Sequence, residues 1–479
     1  MESTNTGLPE TSEAAPPVTG TYRTGTLVYT RAGLFALFFW LLAGDFVFTL
    51  MELLQPTLLP LLLRKHGATN EEIAIIVTTI ASVLNSVINP IISYRSDRTR
   101  SRFGRRIPYL AWATPFAAVF LALIPFAPEI AGILSRSPVL ARAIAHLPIS
   151  PVLLACGLIV VLFQTFNMVI SSIYFYLFRD VVPLEHIGRA WALFRVFGYL
   201  ATFCFNYWIF AQAERHLKEI FIAVSLLYAV GFLLMCRNVR EGQYPPVEDA
   251  DPHAHGLATA IRNFLSESFA PIYCWTYATR LFMSMYLIVA TFSVFFARDQ
   301  LHLDLRTIGN VTAWPALFCL PLAYPFGMLL DRWGAIRSVS LTVIAMTLAN
   351  LLAFFFVSNK EGLLAFGIVI GAAWYLYMIG QSVLLQTIFH QSRLGQLSSA
   401  NSILIALAGV VIAPACGKFF DWIHDYRYIY IWTAFFGVLA AFSLSKVRQH
   451  WHRCGGPDDY RAPLYNRQFS SETSGGGEA

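Results

Sequence analysis

The chain has 479 residues, of which 56% are hydrophobic and only 13% are charged, and its formal net charge is +6. Soluble domains carry roughly a quarter charged residues, so this composition excludes a large soluble enzyme and indicates a polytopic membrane protein. The seven cysteines have no metal-type spacing, and small buried side chains are the simpler interpretation. We therefore expect no metal site, no cofactor and no catalytic residue.

Apolar segments that reach the ~20 residues needed to cross a bilayer occur twelve times along the chain. They predict an all-α membrane protein with twelve transmembrane helices. The expected limits are 33–62, 73–94, 108–127, 151–178, 190–212, 219–236, 271–297, 307–330, 338–357, 363–389, 397–417 and 428–445. Two prolines in the first segment, Pro56 and Pro60, give a reason for a kink there.

Polar segments divide the twelve helices into two bundles of six. We expect a disordered tail over residues 1–30 and a first bundle over 31–237. A linker over 238–270 ends in Leu257–Phe269, whose apolar residues share one face and predict a short interfacial helix. The second bundle covers 271–446, and a polar tail covers 447–479.

The distribution of lysine and arginine predicts the orientation of the helices. With the N-terminus inside, 22 of these residues fall in inner segments and 11 in outer loops. Because basic residues are retained on the cytoplasmic side, both termini are expected in the cytoplasm. The basic surplus is then explained by topology, and no nucleic-acid partner is expected.

Two arginine-rich turns stand at matching places, after the second apolar segment of each half. The first is Ser96–Leu110 (SDRTRSRFGRRIPYL), and the second is Gly327–Arg337 (GMLLDRWGAIR). In both turns a glycine permits a tight reversal of the chain, and in the first Pro108 suits the start of the next helix. The matching positions suggest a duplicated membrane protein.

These turns resemble the D-R-x-G-R turn of the major facilitator superfamily, which lies between its second and third helices. The longer first copy is similar to that of the glycoside–pentoside–hexuronide:cation symporters, especially the sucrose/proton symporters and their bacterial relatives. Two further stretches, Leu58–Ala68 and Asp180–Arg189, also resemble patterns of that family. The resemblance implies two pseudo-symmetric six-helix bundles, alternating access, and uptake of a sugar or glycoside coupled to H⁺ or Na⁺, with H⁺ the simpler choice.

The charges of the two turns predict a cytoplasmic gate whose ion pairs hold the halves together when the protein faces outward. Surface ion pairs contribute only ~0–1 kcal/mol each, so such a gate needs a network or partial burial. The alternative is that these charges only set topology. The predicted gate residues are Asp97, Arg98, Gly104, Arg105, Arg106, Asp180, Arg189, Asp331, Arg332, Gly334 and Arg337.

Ionisable groups inside the apolar segments are few, and each costs at least ~2.5–3.5 kcal/mol at mid-membrane. Asp45 and Glu52 share one face of the first helix, and we predict that they couple transport to the cation. The alternative for these acids is a structural ion pair with Arg280 across the halves. The family resemblance instead implies an essential acid and arginine at Asp180 and Arg189.

Polar and aromatic residues recur at helical spacing in six of the segments, which predicts one wet central cavity. Amides suit the hydroxyl groups of a sugar, and aromatic faces suit its C–H surfaces. The alternative for such residues is helix–helix hydrogen bonding or packing. The predicted substrate-binding residues are Gln164, Asn167, Arg280, Trp374, Tyr377 and Gln381.

The leading hypothesis is a monomeric secondary symporter in a plasma membrane, most simply a bacterial inner membrane. Its expected partners are a small-molecule substrate, most simply a sugar, and the lipid bilayer. A nucleoside or another polar solute would suit the same residues. The competing hypotheses are a lipid or lysolipid transporter of the same fold, an exporter, and a sensor that does not transport.

Overall fold

The computed structural model describes residues 21–24, 26–136, 149–243, 270–390 and 394–463, and helices dominate it. Within these residues, eleven helices are long and apolar enough to cross a membrane, or twelve when the bent helix α8 is one span. The predicted all-α architecture is therefore confirmed. The helices are α1 (Arg31–Lys65), α2 (Asn70–Arg98), α3 (Ile107–Leu134), α4 (Pro151–Val181), α5 (Ala190–Gln212), α6 (Leu217–Asn238), α7 (Pro271–Gln300), α8 (Leu305–Trp333), α9 (Ala335–Phe356), α10 (Lys360–Ile388), α11 (Leu394–Ile423) and α12 (Tyr426–Arg453).

Side-chain caps and prolines set the local course of these helices. The hydroxyl of Thr30 accepts a hydrogen bond from Gly33 N at the start of α1, and Ser150 does the same for Leu153 N at the start of α4. Such caps satisfy the N–H groups that a helix leaves free in its first turn. Three prolines lie within α8, whose two parts meet at a bend of 53° between Leu322 and Tyr324.

The segment before α1 corrects the prediction of a disordered tail over residues 1–30. Strands β1 (Thr21–Thr24) and β2 (Leu27–Thr30) pair in antiparallel register. The backbone N–H of Gln243 donates to Thr26 Oγ1 at 2.7 Å, so the hairpin is attached to the segment after α6. Residues 1–20, the predicted interfacial helix over 257–269 and residues 464–479 lie outside the described residues.

Helices α1–α6 form one half of the molecule and α7–α12 the other. The halves meet where α2 lies beside α11 and where α5 lies beside α8. We call the end of the bundle that carries Arg31, Arg453 and both arginine-rich turns the terminal end. The opposite end, where α1 leads into α2 and α11 into α12, is the distal end.

Candidate substrate cavity

A cavity of about 700 Å³ lies between the two halves. Residues from α1, α2, α4 and α5 line it on one side, and residues from α7, α8 and α10 line it on the other. The lining residues that the structure describes carry amides and hydroxyls but no charge. The polar ones are Gln55, Thr57, Thr78, Ser82, Asn85, Gln164, Asn206, Ser284, Thr291, Ser293 and Thr312.

A chain of side-chain amides forms the first-half wall of this cavity. Gln55 Nε2 donates to the Val77 carbonyl at 3.0 Å, and Gln164 Nε2 donates to Gln55 Oε1. Asn167 Nδ2 in turn donates to Gln164 Oε1 at 3.4 Å. Asn167 Oδ1 is buried and has no hydrogen-bond partner among the described residues. Gln55 and Gln164 line the cavity and can offer amide groups to a hydroxyl-bearing ligand, whereas Asn167 is not among the lining residues.

The distal end of the cavity is closed by a hydrogen-bonded junction between the halves. The Asp421 carboxylate, at the end of α11, accepts hydrogen bonds from Asn70 N at 3.0 Å, Asn70 Nδ2 at 2.8 Å and Glu71 N at 3.0 Å. It thus caps the N-terminus of α2 with a negative charge from the other half. Tyr426 and Arg64 add donors to Asn70 Oδ1 at 2.8 and 3.0 Å.

The two helices of this junction approach closely because α11 carries a glycine there. A β-carbon on Gly417 would lie 2.3 Å from the Asn70 carbonyl oxygen and 2.6 Å from Glu71 Cα. Both of these are backbone atoms and cannot move aside as the end of a side chain can. The distal closure therefore requires a residue without a side chain at position 417.

The acidic residues predicted for coupling lie on α1, toward the terminal end from the cavity. Asp45 is only 7% exposed. The positive charge of Arg195, on α5, interacts electrostatically with the Asp45 carboxylate. A β-carbon on Gly198 would lie 3.9 Å from both Asp45 Oδ2 and Thr49 Oγ1, so α5 packs directly against this face. Glu52, on the same face, has an exposed side chain, and its charge interacts with that of Asp45.

The four predicted substrate residues of the second half lie outside this cavity. The Trp374 ring stacks on Tyr286, with centroids 5.7 Å apart, and Tyr377 is 1% exposed. Gln381 Nε2 lies 3.1 Å from Met378 Sδ. Arg280 interacts electrostatically with Tyr377, and the described residues do not pair it with Asp45. The aromatic stripe of α10 thus contributes to packing within the second half.

The first arginine-rich turn is a compact ion-pair network within the first half. Arg105 donates to both Asp180 oxygens, with Nη2–Oδ1 at 2.8 Å and Nε–Oδ2 at 3.0 Å. Arg106 bridges Asp180 and Asp97, and its side chain is only 5% exposed. Burial and bidentate geometry make such ion pairs stronger than isolated surface pairs. All four residues belong to the first half, so these pairs tie α2, α3 and α4 together.

Glu241, which the sequence interpretation missed, caps the helix that follows this turn. Its Oε2 accepts hydrogen bonds from Arg106 N at 2.7 Å and Ile107 N at 2.9 Å. Burial raises the pKa of the Glu241 carboxyl, and the hydrogen bonds from the backbone of Ile107 and Arg106 oppose that rise. Gly104 has a φ of +104°, and a β-carbon there would lie 2.2 Å from Glu241 Oε2.

We expect Gly104→Ala to destabilise the protein more than Gly334→Ala. Both glycines have positive φ, which costs other residues ~1–3 kcal/mol. Only the change at Gly104 adds a clash with Glu241, because a β-carbon on Gly334 meets nothing within 4 Å. Thermal unfolding of both variants in detergent measures the difference. Equal losses of stability would contradict the role given to Glu241.

The second arginine-rich turn lies at the terminal end of the second half. Asp331, Arg332, Gly334 and Arg337 are all exposed, and the described residues show no ion pair between Asp331 and either arginine. Arg98, from the first turn, is also exposed. The side chain of Arg189 lies outside the described residues. The predicted gate residues thus form two separate clusters, one at each half.

Several residues of the cavity and its closure were not among the predicted site residues. Gln55 stands beside Pro56, and the sequence predicts only a kink in that part of α1. An amide inside an otherwise apolar run was the signal that could have identified it. Asn70 and Asp421 fall just outside the predicted helices 73–94 and 397–417, and the sequence gives no reason to join two positions 351 residues apart.

Comparisons with known proteins agree with this architecture. Residues 278–453 match the family model of the Major Facilitator Superfamily. A general alpha-glucoside permease of Schizosaccharomyces pombe is 28% identical over 196 residues, which are 39% of this chain and 34% of the permease. The matched region thus spans about a third of that relative's length.

Solved structures resemble the chain over most of its length. The inward-open xylose transporter XylE from E. coli matches with a TM-score of 0.61 and 14% identity, covering 91% of this chain and 99% of that chain. The nucleoside transporter NupG matches with a TM-score of 0.61 and 12% identity, covering 86% and 98% of the two chains. At these levels of identity the likenesses show a shared fold. The chain has the twelve-helix fold of the major facilitator superfamily, and its second half matches the model of that superfamily.

Proposed function

We propose that the protein is a secondary active transporter that carries a neutral, hydroxyl-rich solute, most simply a sugar or glycoside, together with H⁺. The observation that carries the proposal is the cavity between the halves, whose described polar lining consists of uncharged amides and hydroxyls. Such groups recognise hydroxyls and leave no buried charge unpaired when a neutral solute binds. The similarity of part of the chain to an alpha-glucoside permease supports the same substrate class.

Transport by alternating access fits the arrangement of the two halves. The cavity is closed at the distal end by the junction of Asp421 with α2, and the α2–α11 and α5–α8 contacts would separate when that end opens. With both termini in the cytoplasm, the closed distal end would be the outer side of the protein. The buried Asp45 supplies a carboxylate that can bind the coupling proton on the path between the cavity and the terminal end.

Uptake by the purified protein in proteoliposomes tests this function. We expect a pH gradient, acid outside, to drive accumulation of a labelled sugar or alpha-glucoside, while a Na⁺ gradient alone does not. A nucleoside and a lysolipid serve as the competing substrate classes. Uptake of lysolipid without uptake of any sugar would overturn the proposal.

A pair of glutamine variants tests whether this cavity is where the solute binds. Gln164→Ala removes an amide from the cavity wall, and we expect it to raise KM about tenfold, the effect of one or two lost hydrogen bonds. Gln381→Ala removes the same group from α10 outside the cavity, and it should leave KM near the wild-type value. If Gln381→Ala raised KM more than Gln164→Ala in a transport assay, the solute would bind in the second half instead of in this cavity.

A further inference from the structure

A second pocket, separate from the central cavity, lies at the terminal end of the second half. It has a volume of about 350 Å³ and is formed by the turn from α8 to α9 and by the ends of α10 and α12. The lining residues that argue for a ligand are Arg332, Arg337, Arg448, Trp451 and Thr387. The proposed transport function leaves this pocket without a role.

The charge of the pocket is strongly positive. Arg332, Arg337 and Arg448 line it, and the described lining contains no carboxylate. Among the described residues, these three guanidinium groups form no ion pair, and neighbouring Asp331 forms none either. Three like charges around one small pocket repel each other, and a bound anion would relieve that repulsion.

The pocket also contains unused hydrogen-bond donors. Helix α9 begins at Ala335 behind Gly334, whose φ is +77°, and no side chain caps its first turn. The N–H groups of such a turn form a favourable position for a phosphate or carboxylate. In addition, Trp451 Nε1 is buried and has no acceptor among the described residues.

The matching turn of the first half shows which groups pair with the arginines and with the helix start there. There, protein carboxylates occupy the equivalent places: Glu241 caps the first turn of α3, and Asp180 receives the two arginines. In the second half, Arg448 and Trp451 come from the end of α12, and Thr387 comes from the end of α10. The arginines and the helix start are retained, whereas the lining that the structure describes has no carboxylate in place of Glu241 and Asp180.

We propose that this pocket binds a phosphate group, carried by free phosphate or by the headgroup of an anionic phospholipid. Phosphate oxygens accept hydrogen bonds from guanidinium groups, from a helix N-terminus and from an indole N–H at the same time. The pocket lies at the end of the membrane helices, where headgroups of the surrounding leaflet are within reach. The bound anion replaces the carboxylates that the first half supplies for itself.

Binding to the purified full-length protein in detergent tests the site. Inorganic phosphate is titrated against chloride at matched ionic strength and followed by thermal unfolding. Phosphatidylglycerol is titrated against phosphatidylcholine and followed by native mass spectrometry. Saturable binding of phosphate identifies the free anion as ligand, and selective retention of phosphatidylglycerol identifies the lipid. Failure of both to bind would overturn the proposal.

Arginine variants separate this pocket from general charge attraction. We expect Arg337→Ala and Arg448→Ala each to weaken binding about tenfold, the effect of one charge-assisted hydrogen bond. Trp451→Phe, which removes only the N–H donor, should weaken it less. Arg237→Ala removes an exposed arginine at the end of α6 and should not change binding. An equal loss with Arg237→Ala, or no loss with Arg337→Ala and Arg448→Ala, would refute the site.

Discussion

Gly417→Val should stop net transport and leave the protein open at its distal end. The reason is the contact of α11 with the backbone of Asn70 and Glu71, where even a β-carbon would come within 2.3 Å of a carbonyl oxygen. Valine adds two methyl groups to that clash, and the distal ends of the halves can no longer meet. The conformation described here would become inaccessible, whereas a distally open conformation would not be affected.

Labelling of an introduced cysteine measures this change. Ser284 lines the cavity beneath the closure, and in Ser284→Cys we expect the thiol to react with a membrane-impermeant maleimide faster when Gly417→Val is present. Gly157→Val is a matched control, because a β-carbon on Gly157 meets nothing within 4 Å. Unchanged labelling together with normal uptake would show that the contact of α11 with α2 at Gly417 does not close the distal end.

Asp421→Ala gives a milder form of the same experiment. It removes the carboxylate that accepts three hydrogen bonds at the start of α2 but leaves room for the helices to meet. Loss of a helix cap costs ~0.5–2 kcal/mol, so we expect the distally open form to gain population without becoming the only form. Cysteine labelling should then lie between that of the wild type and that of Gly417→Val.

Asp45→Asn should abolish uphill accumulation while substrate exchange continues. Asparagine has nearly the same shape as the buried aspartate, but it cannot bind or release a proton. The packing of α1 against Gly198 is therefore retained, whereas the coupling of solute to proton is lost. This expectation depends on the proposed symport, and it is independent of which sugar is carried.

Two measurements in proteoliposomes distinguish coupling from transport itself. With an imposed pH gradient, the internal concentration of solute should reach only the external concentration in Asp45→Asn. Counterflow exchange without a gradient should remain close to the wild-type rate. Glu52→Gln serves as the comparison, since Glu52 shares the helical face but has an exposed side chain. Full accumulation by Asp45→Asn would exclude Asp45 as the coupling group.

Hydropathy was sufficient to predict the helices, because each must be long and apolar to cross a bilayer. The prediction failed at Thr21–Thr30, where a polar composition suggested disorder. Thr21–Thr24 and Leu27–Thr30 pair as strands there, Thr26 receives a hydrogen bond from Gln243, and Tyr22 packs its ring against His186. Both contacts join parts of the chain that are distant in sequence, and no local pattern encodes them.

Helical periodicity predicts which residues share a face, but it does not identify the neighbour of that face. Gln164 and Trp374 both lie on polar or aromatic stripes, yet Gln164 lines the cavity and Trp374 stacks on Tyr286. The difference depends on how each helix is rotated within its half. That rotation results from packing against several other helices, so a single segment does not reveal it.

The hydrogen bonds among Gln55, Gln164 and Asn167 have a consequence for the speed of the transport cycle. A carrier that has released its solute must change conformation empty before it can bind again. Because these amides largely satisfy one another, the vacant carrier keeps few unpaired polar groups in this wall, Asn167 Oδ1 among them, that would slow its return. The same hydrogen bonds must break before a sugar can bind to the amides. Each sugar hydroxyl therefore contributes to the binding free energy only the difference between its own hydrogen bond and the amide–amide hydrogen bond that it replaces. The wall therefore favours rapid turnover over tight retention of the solute.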